Sequence, residues 1–256
     1  MEIGALGPTA LDAVRAELAA AAEPARVAAL GRYLQAGPGG YGEGDRFLGV
    51  RVPAQRAVAR RHHGALTLDD VAALLRSPWH EERLTAVFVL VRRFERGDDR
   101  ERAAAVQVLL AHTDRLNNWD LVDSSAPYVL GPWLLERDDA VPERDDAVLD
   151  RLAASDLLWD RRIAIMATFA YIRAGRFDRT LELAERLLHD EHDLIHKAVG
   201  WMLREVGNRD RPAAEAFLSA HHAEMPRTML RYAIERFPAP LRATYLRGSE
   251  GRPLGR

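Results

Sequence analysis

The chain contains no cysteine, so it has neither a disulfide framework nor a thiolate metal site. Lysine is almost as scarce: Lys197 is the only one, and arginine supplies the other basic side chains. No GK[ST] segment exists, which excludes a Walker-type phosphate loop, and a Schiff-base mechanism has a single candidate amine. There is no GxSxG, and no GxGxxG followed by the required acid, so serine-hydrolase and dinucleotide-binding readings lose their support. No run of about 18 apolar residues is present, which excludes a membrane-spanning helix. Residues 1–11 lack a basic stretch leading into an apolar one, the pattern of a signal peptide. A convincing alternation of apolar and polar residues, the mark of a half-buried strand, is also missing.

What is present is helical periodicity. The chain has 256 residues, 48% of them hydrophobic and 29% charged, enough for a globular core as one domain or two small ones. Apolar residues recur at three- and four-residue steps: Leu11, Val14 and Leu18, then Val27, Leu30 and Leu34. The same pattern runs through residues 71–75, 84–91, 103–110, 148–152, 163–172, 181–188, 195–203, 213–218 and 229–234. Breakers fall between these runs, among them Gly64, Gly97, Gly131-Pro132, Gly175, Gly207, Pro212, Pro226 and Pro238. Acidic residues at Asp69-Asp70, Asp98-Asp99 and Asp178 stand where helices would start and need acceptors for their exposed N–H groups. The fold class is therefore all-α.

Tryptophans mark a repeat. Trp79, Trp119, Trp159 and Trp201 are spaced by 40, 40 and 42 residues, close to the length of a HEAT-like helix pair. One such pair cannot bury its apolar face alone, so pairs stack into a solenoid, an α-α superhelix with a concave surface. This predicts one helical-repeat domain over residues 1–247. The Gly/Arg-rich tail, residues 248–256, is expected to be disordered, and residues 37–44 (GPGGYGEG) to form a flexible connection. Residues 136–149 read as ERDDAVP followed at once by ERDDAVL, a slipped duplication on a solvated face.

Several side chains stand out against this background. On a helix, Trp119 and Asp123 lie at i and i+4 and share a face, whereas Asp120 or Asn118 suits a helix cap. A carboxylate beside an indole packs poorly unless a cation comes to it. Arg162 follows Asp123 by 39 residues, and Trp201 follows Arg162 by 39. Equal spacing puts the three on equivalent helices of successive repeats, where they either line a groove or serve the packing of the repeats, for instance as a salt bridge between Asp123 and Arg162. Gly200, inside a helical run, calls for a packing or access reason beside Trp201. Pro53 can open a helix on which Arg56 and Arg60 share a face able to grip phosphates. His192 and His196 have the spacing of two zinc ligands, but the zinc-protease pattern needs Glu where Asp193 stands, and a third ligand further on.

Taken together, FLGVRVPAQR, SPWHEERLTAV, NNWDLVDSSAPYVLG, LWDRRIAI and KAVGWMLREVG resemble, in order from Tyr33 to Phe237, the DNA alkylation repair glycosylases, the AlkD-like proteins built of HEAT-like repeats. The resemblance implies an enzyme that releases N7-alkylguanine and N3-alkyladenine from duplex DNA by hydrolysing the N-glycosidic bond, the first step of base excision repair. It also implies a concave DNA-binding groove, no metal and no cofactor. Residue by residue, it assigns catalytic positions to Trp119, Asp123, Arg162 and Trp201. Arg51, Arg56, Arg60, Arg161 and Lys197 are the expected DNA contacts.

The partner expected is double-stranded DNA carrying alkylated bases, bound by a monomer. A net charge of −2 requires that binding to come from a local basic face, not a global field. The expected location is the bacterial cytoplasm, on the nucleoid when DNA is bound. No strand-cutting lyase step is expected, so borohydride should trap no protein–DNA adduct. Two other readings make different predictions. A helical scaffold without catalysis binds DNA structure or a protein and releases no base. A metallohydrolase centred on His192 and His196 loses activity to a chelator.

Overall fold

The computed structural model of the protein describes residues 8–140 and 147–247. Among the described residues every regular element is helical, and no helix is long and apolar enough to cross a membrane. The duplicated ERDDAV segment falls in part outside the described residues, and the 248–256 tail wholly so. The chain divides into two compact units, one ending at Ser125 and the other beginning at Ala126.

The first unit holds α1 (Ala10–Ala20), α2 (Val27–Tyr33), α3 (Val52–His62), α4 (Leu68–Leu75), α5 (His80–Arg96), α6 (Asp99–Leu110) and α7 (Trp119–Asp123). Its starts follow the sequence chemistry. Thr9 with Asp12, Thr67 with Asp70 and Asp98 with Glu101 form reciprocal capping boxes that satisfy N–H groups a helix leaves open. Helix α5 is central: α1, α3, α4, α6 and α7 all pack on it. It therefore has no wet face along residues 80–90, all of which are buried, including the apolar run from Phe88 to Leu90.

The second unit holds α8 (Leu130–Ala140), α9 (Ala147–Ala153), α10 (Leu158–Ala167), α11 (Phe169–Arg173), α12 (Asp178–Arg186), α13 (Asp193–Gly207), α14 (Arg211–His221), α15 (Arg227–Ala233) and α16 (Ala239–Arg247). Helix α10 packs on α8, α9, α12 and α13, and residues 162–167 are buried on every side. Helix α13 buries a single stripe: Leu194, Ile195, Ala198, Val199, Met202, Leu203 and Val206. Gly200, also buried, flanks that stripe. A β-carbon there would come within 2.5 Å of the Met229 carbonyl oxygen and of Tyr232 Cβ, so glycine is what lets α15 approach. This supplies the packing reason that its place in the helix called for.

Two local expectations change. Gly131-Pro132 does not separate helices; it stands in the first turn of α8, where the N–H that proline lacks has no intrahelical use. Residues 37–44 are not a loose connection either. Gly42 N donates to Gln35 O (3.1 Å), Gly40 N to Gly37 O (3.0 Å) and Gly39 N to the Glu43 carboxylate (2.9 Å). These turns and α2 wall a cavity of about 710 Å³ that reaches Asp45 and Phe47. Gly42 has no room for a side chain: its β-carbon would lie 2.4 Å from Leu34 O and 2.9 Å from Asn118 Nδ2.

Candidate nucleic-acid interface and catalytic residues

Helix α7 carries the first pair of candidate residues. Trp119 is its first residue and Asp123 its last, one turn apart, and both are half-buried. Tyr33, the last residue of α2, meets the Trp119 ring edge-on at 5.6 Å and remains 66% exposed. An aromatic pair and a carboxylate thus stand at the surface of the first unit.

A five-residue helix cannot hold its own shape and needs tertiary anchors. Asn118, fully buried, accepts from Trp119 N (2.9 Å) and donates to Leu34 O (3.0 Å). Asn117 donates to Asp45 Oδ1 (2.9 Å). Asp120 does not cap the helix; its Oδ2 meets His80 Nε2 at 2.8 Å. His80 Nδ1 meets Asp45 Oδ2 at 2.9 Å, and Arg83 donates to Asp45 Oδ1 at 2.6 Å. Burial pushes the His80 imidazole down, but the bonds to Asp120 and Asp45 outweigh it and raise its pKa to about 9. Burial pushes the Asp45 carboxyl up; the His80 bond, the Arg83 charge and the Asn117 bond win, holding it below the usual carboxylate range.

This Asp45–His80–Asp120 cluster was not among the expected functional residues. Its partners lie 35 and 40 residues apart in sequence, which no local pattern links. One signal was available. His80, Glu81, Glu82 and Arg83 are four consecutive ionisable residues opening a helix whose next eight residues, Leu84 to Val91, are apolar except Thr85, which leaves this turn no purely polar face.

In the second unit, Arg162 sits in α10, only 4% exposed, and donates from Nη1 to Leu194 O (2.6 Å) in the first turn of α13. Trp201 lies on α13 and is half-buried. Asp123 and Arg162 are each the fifth residue of their helices, as the equal spacing predicts, whereas Trp201 is the ninth of α13. Trp201 thus stands one turn further along its helix than Asp123 and Arg162 do along theirs.

The expected DNA contacts divide by what already holds them. Arg56 and Arg60 are exposed one turn apart on α3, with the Arg56 guanidinium 4.1 Å above the Phe88 ring. Arg51, ahead of them, forms a two-pronged pair with Glu23 (2.7 and 3.0 Å). Arg161 donates to Asp190 (2.6 Å) and to the carbonyls of Ser155 and Asp156 (both 2.9 Å). Lys197 Nζ lies 2.6 Å from Asp193, one turn away, and that bond and charge overcome burial to lower the Asp193 pKa. The two histidines of the zinc-like spacing serve the helix start. His192 Nδ1 accepts from Leu194 N (3.1 Å), and His196 bonds the Asp190 carbonyl.

A family model described as DNA alkylation repair enzyme matches residues 14–237. Among solved structures, one described as a predicted DNA alkylation repair enzyme from Enterococcus faecalis aligns with a TM-score of 0.66 at 16% identity. The alignment covers 85% of this chain and 97% of that one. At that identity the likeness speaks for a shared helical fold. No curated protein matches the chain.

Proposed function

The chain belongs to the DNA alkylation repair enzyme family, and from that premise we propose that it is a monofunctional DNA glycosylase acting on cationic alkylated purines, N7-alkylguanine and N3-alkyladenine, in duplex DNA. The observation that carries this reading is the pairing of Trp119 with Asp123, half-buried one turn apart on a helix whose first turn is anchored by buried polar side chains.

The chemistry asks for little more than such a pair. Alkylation at N7 of guanine leaves a positively charged purine that departs as a neutral molecule, so no acid is needed to protonate it. One carboxylate then suffices, in contrast to the two of ordinary glycosidases. As the bond to the base breaks, positive charge builds on the deoxyribose. Asp123 stabilises that charge and orients the attacking water. The Trp119 ring, packed nearly perpendicular to Tyr33, offers aromatic surface that favours a cationic sugar.

The second unit adds its own contacts to the duplex. Arg162, buried and bonded to Leu194 O, takes a backbone phosphate to the extent that its guanidinium turns outward. Trp201 packs against a sugar ring. Arg56 and Arg60 hold phosphates from the exposed face of α3. Arg51, Arg161 and Lys197 contact DNA to the extent that their bonds to Glu23, Asp190 and Asp193 rearrange. We assign the protein no strand cleavage and a monomeric working form.

The test is release of 7-methylguanine from methylated duplex DNA, in EDTA, by wild type and by Asp123→Asn. The expected outcome is metal-independent release that falls by a factor on the order of 10² or more in the variant, since it loses a charge used in the transition state. Duplex binding without base release by wild type would instead support a non-catalytic scaffold.

A further inference from the structure

Helix α5 opens with four buried ionisable side chains, and three have evident structural duties. Glu81 accepts the backbone N–H groups of Leu48 (2.9 Å) and Gly49 (2.8 Å). Glu82 pairs with Arg15 at 3.3 Å. Arg83 donates to Ser77 O (2.9 Å) and to Asp45. His80 is different because both of its ring nitrogens face carboxylates from two other segments, Asp45 at 2.9 Å and Asp120 at 2.8 Å. A neutral imidazole has a single N–H and would set its second nitrogen's lone pair against one of those carboxylates. A ring that donates to both is a cation. With Arg83, two cations then balance two carboxylates, and the buried cluster is neutral overall.

The charged groups around His80 are Asp45 from the segment after the glycine-rich turns, Asp120 from α7 and Arg83 from its own helix. Arg115, beside Arg83, reaches the same Ser77 carbonyl at 3.4 Å. Asn117 adds a neutral donor to Asp45. The second oxygen of Asp120 is buried and has no hydrogen-bond partner among the described residues, so the charge of this carboxylate is met chiefly by His80. Asp120 is also the neighbour of Trp119, and α7 is one short helix running from Trp119 to Asp123.

We propose that His80 is a positioning residue for the reaction set out above: its charged ring, bonded to Asp45 and Asp120, fixes the first turn of α7 and so determines where Trp119 and Asp123 stand. The kinetic consequence rests on the glycosylase reading; the conformational one does not. His80 touches neither sugar nor base in this assignment. When it loses its proton, one nitrogen faces a carboxylate without a hydrogen between them, and the buried cluster becomes negative. Helix α7 then loosens.

Full-length protein labelled with fluorotryptophan tests this through the fluorine resonance of Trp119, identified by its loss in Trp119→Phe. Without DNA, that resonance is expected to titrate with a midpoint near 9 in wild type, following His80. In Asp120→Asn the midpoint falls by about one unit or more, because a raising partner is gone. In His80→Gln the titration disappears. In single-turnover base release, His80→Gln is expected to be slower by about tenfold with duplex affinity changed less than about twofold, the split expected when alignment and not binding is lost. The alkaline limb of the wild-type rate profile moves to lower pH in Asp120→Asn.

A Trp119 resonance that ignores pH, or a His80→Gln protein that releases base at the wild-type rate throughout, overturns the proposal. Should His80→Gln fail to fold, the displaced or unmoved midpoint of Asp120→Asn decides it. A wild type that releases no base while Trp119 follows His80 sinks the glycosylase reading and leaves the positioning of Trp119 intact.

Discussion

At the scale of single residues, His80 makes the stability of the protein depend on pH. An imidazole in the unfolded chain titrates near 6.5, whereas in the folded one it titrates near 9. Its contribution is therefore complete below about 6.5 and is lost as pH rises through 9, amounting to at most about 3 kcal/mol by linkage. Thermal midpoints of wild type are expected to fall between pH 6.5 and 9. Those of His80→Gln should start lower and change less, and a parallel decline in both proteins would refute the assignment. That Trp119 and Asp123 share a helix face was legible in sequence, because their spacing alone sets it. His80 and Asp45 were not, because a buried ion pair is a fact of tertiary contact.

Helices were the most legible part of the molecule. Capping boxes at Thr9, Thr67 and Asp98 and apolar stripes such as that of α13 are written in residues three and four apart. The tryptophan period matches helix starts at Trp79, Trp119 and Trp159, which precede α5, open α7 and stand second in α10, but not at Trp201, since α13 begins eight residues before it. Close packing between elements yields a prediction at this scale. Gly200→Ala gains up to about 1 kcal/mol of helix propensity. It also drives a methyl into the Met229 carbonyl and Tyr232, an overpacking that costs about 1–3 kcal/mol. Denaturant unfolding is expected to show net destabilisation, with a stabilised variant counting against the α13–α15 contact as described.

For the whole molecule, composition was a poor guide to partners. A net charge of −2 conceals what the surface of α3 offers, an exposed Arg56 and Arg60 one turn apart. If these two hold phosphates, replacing both by alanine weakens duplex binding equally for all sequences and reduces the slope of log affinity against log salt by about 1–2. An unchanged slope would remove α3 from the DNA-binding surface. The boundary between the two units falls in Ser124-Ser125-Ala126-Pro127, a turn-like stretch too short to read as a linker. Ser125 and Ala126 are both fully buried, so the chain passes the boundary without the solvated linker that sequence reading looks for.

The opening turn of α5 has a last consequence, for how the first unit folds. Apart from a local bond from Arg83 to Ser77 O, its four charges are satisfied by Arg15, by residues 45–49 and by Asp120, partners separated from it by 32 to 67 positions. Helix α5 cannot dock into the core in stages, because any form that lacks one of these segments leaves a charge desolvated and unmatched. Partly assembled forms are thereby raised in energy, and the first unit is left with a cooperative, nearly all-or-none route between its unfolded and native forms.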